Sequence, residues 1–238
     1  MFKFFIFFPY IIGPTLAWLF LSLWWDRKRP EPKHQIIRAF LLGGLTAILL
    51  VFFNISLTNY LKESFFLSPI LMVLLLSFLV DGLIEEGGKL ISFRFGIYHL
   101  KHFDEPIDGM IYGFILGLGF AFVENIFYAY ALTKAPMYLA KEILFLRGFT
   151  TTLMHFIAGG IIGYYFALAK FRFGGNPLLI FQGFFLAFLF HGFYNTLSRI
   201  ESPYMFLSLL ILLMAIFIFL YRGFLKLKKT LPASKAGF

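Results

Sequence analysis

The chain has 238 residues, of which 60% are hydrophobic and only 14% charged, with Phe alone occurring 36 times. A soluble domain carries about a quarter charged residues, so this composition excludes one, along with a disordered chain, and the absence of Cys excludes a disulfide scaffold, a thiolate metal site and a Cys nucleophile. The net charge of +9 is no nucleic-acid footprint, because the basic residues flank apolar runs as they do in polytopic membrane proteins. The expected partner surface is therefore a lipid bilayer, with no nucleic acid.

Seven apolar runs reach the roughly 20 residues that ~30 Å of hydrocarbon requires: 4–25, 39–59, 65–85, 107–130, 149–169, 178–198 and 203–221. The first is too long for a signal-peptide core and lacks an A-x-A cleavage site, so it reads as a retained helix. No period-2 alternation supports a barrel. The predicted fold class is all-α, a polytopic transmembrane helix bundle of about seven spans. It forms one integral membrane domain, 1–238, with a motif-bearing core at about 75–200 and a basic cytoplasmic tail at 222–238. Lys226, Lys228 and Lys229 in that tail are suited to anionic headgroups. Fifteen of the 21 Lys and Arg residues lie in segments 26–38, 86–106, 170–177 and the tail, and six on the other side. The positive-inside rule then places the N-terminus outside and the C-terminus in the cytoplasm of a cell membrane.

An ionisable group in hydrocarbon costs at least ~2.5–3.5 kcal/mol, so each one inside a run is a functional candidate. They are Asp81, Glu85 and Glu86 late in the third run, Glu124 with Asn125 in the fourth, His155 in the fifth, and His191 with Asn195 in the sixth. At 1.5 Å rise per residue, Glu124, His155 and His191 fall in one layer ~5–8 Å from the midplane. One carboxylate and two imidazoles with an open position have the composition of a catalytic zinc site, so these three are the expected Zn²⁺ ligands. Taken singly, either histidine could instead be an interhelical hydrogen-bonding residue, as could Asn195. His191 and Asn195 are spaced i, i+4, so the amide can orient the imidazole or donate to an oxyanion. Asp81, Glu85 and Lys89 are also four apart, which predicts an intrahelical Glu85–Lys89 pair, with Glu86 about 100° away. Gly113 with Gly117, and Gly159 with Gly163, predict close helix approach.

The ordered pattern Glu85-Glu86-x-x-Lys89, Phe120-x-x-x-Glu124-Asn125, His155 before a Gly-rich stretch, and His191-x-x-x-Asn195 resembles the PrsW family of intramembrane proteases. That family is related to the type II CAAX prenyl endopeptidases and bacteriocin-processing proteins, whose second motif ends in His where this chain has Glu124. The resemblance spans about residues 75–200. It implies a membrane-embedded peptidase that clips a single-pass membrane protein, such as an anti-sigma factor, in regulated proteolysis. It leaves the cofactor open between Zn²⁺ and a metal-free, glutamate-activated water.

On this reading Glu85 is the general base, with Glu86 second, Lys89 beside them, and Asn195 orienting His191 or stabilising the oxyanion. One difficulty stands. On a simple seven-helix topology, Glu85 and Glu86 fall at the end of the third run, ~20 Å from the Glu124/His155/His191 layer. A bend in the third helix near Asp81-Gly82, a segment 86–104 dipping back into the membrane, or misplaced run boundaries would each resolve it, and the favoured expectation is a re-entrant or amphipathic segment at 87–102, making an eighth element. A non-catalytic scaffold of the same superfamily and a metal or proton transporter are the competing functions. Retention of every ionisable motif position opposes the first, and the lack of an inverted repeat opposes the second.

Overall fold

The computed structural model describes residues 2–200 and 204–228, and every regular element among them is helical. The all-α expectation therefore holds. The elements are α1 (Phe2–Ile6), α2 (Phe8–Trp25), α3 (Lys33–Ser64), α4 (Pro69–Leu75), a π-helical stretch (Leu76–Glu85), α5 (Glu86–Gly96), α6 (Pro106–Leu132), α7 (Met137–Arg172), α8 (Pro177–Arg199) and α9 (Met205–Lys228). Lys229 and Lys235 of the basic tail lie outside the described residues. Pro69, Pro106 and Pro177 open α4, α6 and α8, where a ring-fixed φ suits the first helical turn and the missing N–H is no loss. At α6 a reciprocal capping box between Glu105 and Asp108 satisfies further N–H groups.

Among the described residues, six helices are long and apolar enough to cross a membrane, and they correspond to six of the seven runs. The third run behaves differently. It folds as α4, the π-helical stretch and α5 in direct succession, so that residues 69–96 form one helical rod. Residues 86–96 thus continue the helix instead of turning back, and only 97–105 form the connection to α6. Extending the rod eleven residues past Glu85 brings both glutamates from its end to near its middle, a shift of about 11 Å relative to its centre. About half of the ~20 Å discrepancy came from the misplaced boundary. A pair of glycines, Gly87 and Gly88, and the ionisable Glu86, Lys89 and Arg94 break the apolar pattern of this part of the helix.

The centre of the bundle is the antiparallel pair α6 and α7. Their glycines face one another, as expected. A Cβ at Gly113 would lie 2.2 Å from the Gly159 carbonyl oxygen, and one at Gly117 would lie 2.1 Å from that of His155. Only residues without a side chain let the two backbones meet this closely. Residues 113, 117 and 124 are spaced four and seven apart, so Glu124 extends the glycine stripe toward α7. Around the pair packs a core that includes Phe114, Phe156, Phe166 and Met110.

At one end of the bundle the connections meet. Arg29 pairs with Glu105, and the Tyr112 hydroxyl donates to Glu31. Lys170 Nζ donates to the carbonyls of Phe103 at 2.6 Å and Tyr98 at 3.1 Å. Segments 26–32 and 97–105 and the end of α7 therefore share one face of the molecule.

Candidate active site

Four helical elements deliver ionisable side chains to one buried cluster. Glu86 and Lys89 of α5, His155 of α7 and His191 of α8 are all at most 1% exposed, and Glu85 is 6% exposed. Lys89 Nζ donates to Glu86 Oε1 at 2.6 Å and to His155 Nδ1 at 2.8 Å, and it lies over the Phe120 ring. A lysine ammonium only donates, so Nδ1 of His155 is the accepting nitrogen and its Nε2–H donates to Glu124 Oε2 at 2.8 Å. His191 Nδ1 donates to Glu86 Oε1 at 2.6 Å, which turns its Nε2 toward Asn195 Nδ2 at 3.2 Å and Glu85 Oε2 at 4.0 Å. The two imidazole rings meet edge to face, 5.0 Å apart.

The expected Glu85–Lys89 pair is replaced by Glu86–Lys89, three residues apart. In the α geometry of α5 both i,i+3 and i,i+4 partners reach Lys89, and here it takes Glu86, while the π-helical stretch ending at Glu85, with its wider i→i+5 turn, offsets Asp81 from Glu85. Asp81, Glu85 and Lys89 consequently separate. Asp81 pairs with Arg199 of α8 at 2.5 Å, Glu85 Oε1 accepts from Asn54 of α3 at 3.0 Å, and Lys89 turns inward. The two adjacent glutamates thus face different partners, as their 100° offset anticipates.

The metal question shifts with the geometry. Glu85, His155 and His191 each offer a ligand atom within 4.8 Å of the others. Glu124, expected as the carboxylate ligand, accepts instead from His155 and pairs with Arg147 of α7 at 3.2 Å. The donor set of one carboxylate and two imidazoles fits zinc in kind and number. Glu85 Oε2 is buried without a hydrogen-bond partner, as an oxygen reserved for a cation or a water is. His155 can join such a set only by releasing Lys89 or Glu124, since both its nitrogens are engaged.

Two participants escaped the sequence reading. Arg147 lies before the apolar run that begins at 149, yet α7 starts at Met137 and buries this guanidinium. It pairs with Glu124, donates from Nε to Asn125 Oδ1 at 3.2 Å and stacks 3.4 Å over the Tyr128 ring. Asn54 sits in mid-run on α3, and the same burial argument that singled out His155 applies to it. Asn125 also donates to Thr152, tying α6 to α7 beside the cluster.

Two cavities open onto the site. One, of about 300 Å³, is lined by Asn54, Glu85 and Phe120 among others. The second, of about 360 Å³, is lined by Arg147, Tyr194 and Asn195. Asp81, Glu124, Tyr128 and Arg199 border both. The arrangement offers a carboxylate with one free oxygen, an imidazole nitrogen and an amide donor converging between two recesses.

The family described as "PrsW family intramembrane metalloprotease" matches residues 31–221. Among curated proteins, the chain is 30% identical to "Protease PrsW" of Clostridioides difficile (strain 630) over 95% of this chain and 92% of the relative. It is 32% identical to "Protease PrsW" of Oceanobacillus iheyensis over 79% and 80% of the two chains, and 32% identical to that of Bacillus subtilis (strain 168) over 67% of each. No solved structure matches the chain.

Proposed function

The chain belongs to the PrsW family of intramembrane metalloproteases, and we propose from this that it hydrolyses a peptide bond of a single-pass, anti-sigma-factor-like membrane protein with a water activated by Glu85. It is an integral membrane protein. The observation that carries the mechanism is the pairing of two groups across the site. Glu85 Oε2 has no partner and faces His191 Nε2 at 4.0 Å, a gap that one water oxygen bonded to both can span.

In this mechanism Glu85 takes a proton from that water as its oxygen bonds to the scissile carbonyl carbon. Asn195 Nδ2, held beside His191 Nε2 by a long 3.2 Å contact, turns its N–H to the developing oxyanion. Glu85 then returns the proton to the leaving nitrogen as the C–N bond breaks. Glu86 acts one step back. It fixes the His191 tautomer through Nδ1 and neutralises Lys89. Were Zn²⁺ bound, Glu85, His155 and His191 would hold it and it would supply a lowered water pKa and a polarised carbonyl, with Glu85 Oε2 then serving as a ligand and not as the base. A second reading, without metal, is favoured by the Lys89 ammonium, already seated 2.8 Å from His155 Nδ1 and able to provide positive charge to the same site. The two cavities give an extended chain room on either side of the bond to be cut.

We infer the orientation from the rod 69–96. At about 40 Å it is long enough for a seventh crossing, and seven crossings with the positive-inside rule support an N-terminus outside and a C-terminus in the cytoplasm. The meeting of segments 26–32 and 97–105 on one face supports that parity, since seven crossings put both on the cytoplasmic side.

The test compares membrane fragments from cells producing the wild-type chain or Glu85→Gln. A fragment whose new terminus maps within or beside a transmembrane segment, present only with the wild type and reproduced by the purified protein in vesicles, is expected. Equal fragment patterns from both chains would remove the protease mechanism. Chelator treatment of the vesicles separates the readings: loss of cleavage, restored by zinc alone, selects the metal.

A further inference from the structure

Asn54 of α3 bonds to the carboxylate proposed as the base. Its Nδ2 donates to Glu85 Oε1 at 3.0 Å, leaving Oε2 as the oxygen that faces His191. The other half of the same amide, Asn54 Oδ1, is buried and has no hydrogen-bond partner. An unsatisfied acceptor in a hydrocarbon setting is costly, and polar side chains are kept there for a task. Apolar packing can hold the two helices together beside it. Leu57 and Leu61 of α3 already pack against Leu76 and Val80 of the neighbouring rod.

The cavity beside Asn54 indicates what the free oxygen meets. Its α3 wall is apolar at Leu50 and Val51 and is faced by Val80, Phe120 and Phe127; Asn54 and Thr58 add uncharged polar atoms one turn apart on α3, and Asp81, Glu85, Glu124 and Arg199 close the charged side. A transmembrane helix satisfies its own N–H groups, but a peptide bond open to attack lies in unwound chain. Unwinding releases backbone N–H groups where no water can take them up. An acceptor beside the base, on the uncharged wall of the recess, matches that need.

We propose that Asn54 is a positioning residue that fixes Glu85 through its N–H and receives a backbone N–H of an unwound, apolar substrate segment on its carbonyl oxygen. This rests on Glu85 being the base. The two halves of the amide separate in kinetics. Asn54→Asp keeps an acceptor and loses the donor, whereas Asn54→Leu, close to isosteric, loses both.

The probe is a peptide of about 25 residues spanning the cleavage point mapped with the wild-type chain, in vesicles of phosphatidylethanolamine and phosphatidylglycerol. Asn54→Asp is expected to lower kcat roughly 10- to 100-fold with KM within about threefold of wild type. Asn54→Leu, or Asn54→Ala if the Leu variant does not fold, is expected to lower kcat similarly and to raise KM about tenfold. In the inactive His191→Ala background, peptide binding is expected to weaken with Asn54→Leu and to be unchanged with Asn54→Asp. A peptide N-methylated at the one backbone nitrogen involved should bind weakly to His191→Ala protein and lose nothing further on adding Asn54→Leu. Wild-type kcat in Asn54→Asp, or undiminished binding in Asn54→Leu, overturns the inference while the protease reading stands. A wild-type chain that cuts no membrane protein overturns both.

Discussion

Glu86 Oε1 lies 2.6 Å from His191 Nδ1, joining residues 105 positions apart, and the same oxygen accepts from Lys89 at 2.6 Å. One carboxylate oxygen therefore sets the tautomer of an active-site imidazole and neutralises an ammonium with no exposure. Glu86→Gln leaves that ammonium without its counter-charge, and a loss of about 3–5 kcal/mol is expected. The double variant Glu86→Gln/Lys89→Met should recover much of this, because the two changes share one interaction. Thermal unfolding in detergent measures both, and equal midpoints for the single and double variants would refute the account.

Glu85 has a different fate. It makes one hydrogen bond, to Asn54, and keeps Oε2 free. Glu85→Gln should unfold near the wild-type temperature yet cut substrate roughly 10²–10⁴-fold more slowly. A large drop in midpoint would show the carboxylate to be structural.

Gly117 faces the His155 backbone, and an added Cβ would sit 2.1 Å from the carbonyl oxygen. Gly117→Ala must push α6 from α7, displacing His155 from both Lys89 and Glu124. A cost of at least ~1–3 kcal/mol is expected, together with lost cleavage. Gly13 has nothing within 4 Å of its would-be Cβ, so Gly13→Ala is the control. It should be neutral or gain up to about 1 kcal/mol. Unfolding midpoints of the pair decide the matter.

Arg147 braces Glu124, which braces His155. Arg147→Met leaves Glu124 with no cation and should cost ~3 kcal/mol. Arg147→Lys keeps the charge but cannot serve Glu124, Asn125 and the Tyr128 face together. Its folding should be largely preserved and its cleavage rate reduced. Equal rates for Arg147→Lys and wild type would take Arg147 out of the site.

A pH effect is expected away from the site. Burial pushes the Asp26 carboxyl up from 3.8 to about 7, with Glu31 adding like charge and the Glu31 backbone N–H opposing the rise. Burial raises the neighbouring Glu31 as well, against the Tyr112 hydroxyl that donates to it. An acid whose folded pKa exceeds its unfolded one binds more protons when folded. Its contribution to stability is complete below about pH 4 and is lost as pH rises through about 7. Asp26→Asn should flatten unfolding midpoint against pH between 4 and 8. Superimposable profiles for the two proteins would contradict this.

Much of the site was legible because burying a charge is expensive: Glu85, Glu86, Glu124, His155 and His191 each stand out in an apolar run for that reason. The glycine pairs were legible too, since their spacing marks where α6 and α7 touch. What was hidden depended on register. The π-helical stretch changes how Asp81 faces relative to Glu85, and a four-residue periodicity argument assumes α geometry throughout. The length of the rod was hidden by its own charges, which ended the apolar run at Glu85 although the helix runs on to Gly96. Arg147 was hidden the same way, as a basic residue read as flanking a span that in fact contains it. Asn54 carried a readable signal, a lone amide amid Leu, Val, Phe and Ile.

The distance in sequence between Glu86 and His191 also bears on how the protein is made. Synthesis proceeds from the N-terminus, so the rod bearing Glu86 and Lys89 leaves the ribosome long before α8 exists. Before α7 emerges the ammonium has only its own helix's carboxylate; His155 joins it with α7, and His191 reaches Glu86 only with α8. A nascent chain stopped before α8 carries this charged rod without its last partner. The polar partners of the third hydrophobic segment are therefore completed only by residues translated near the end of the chain.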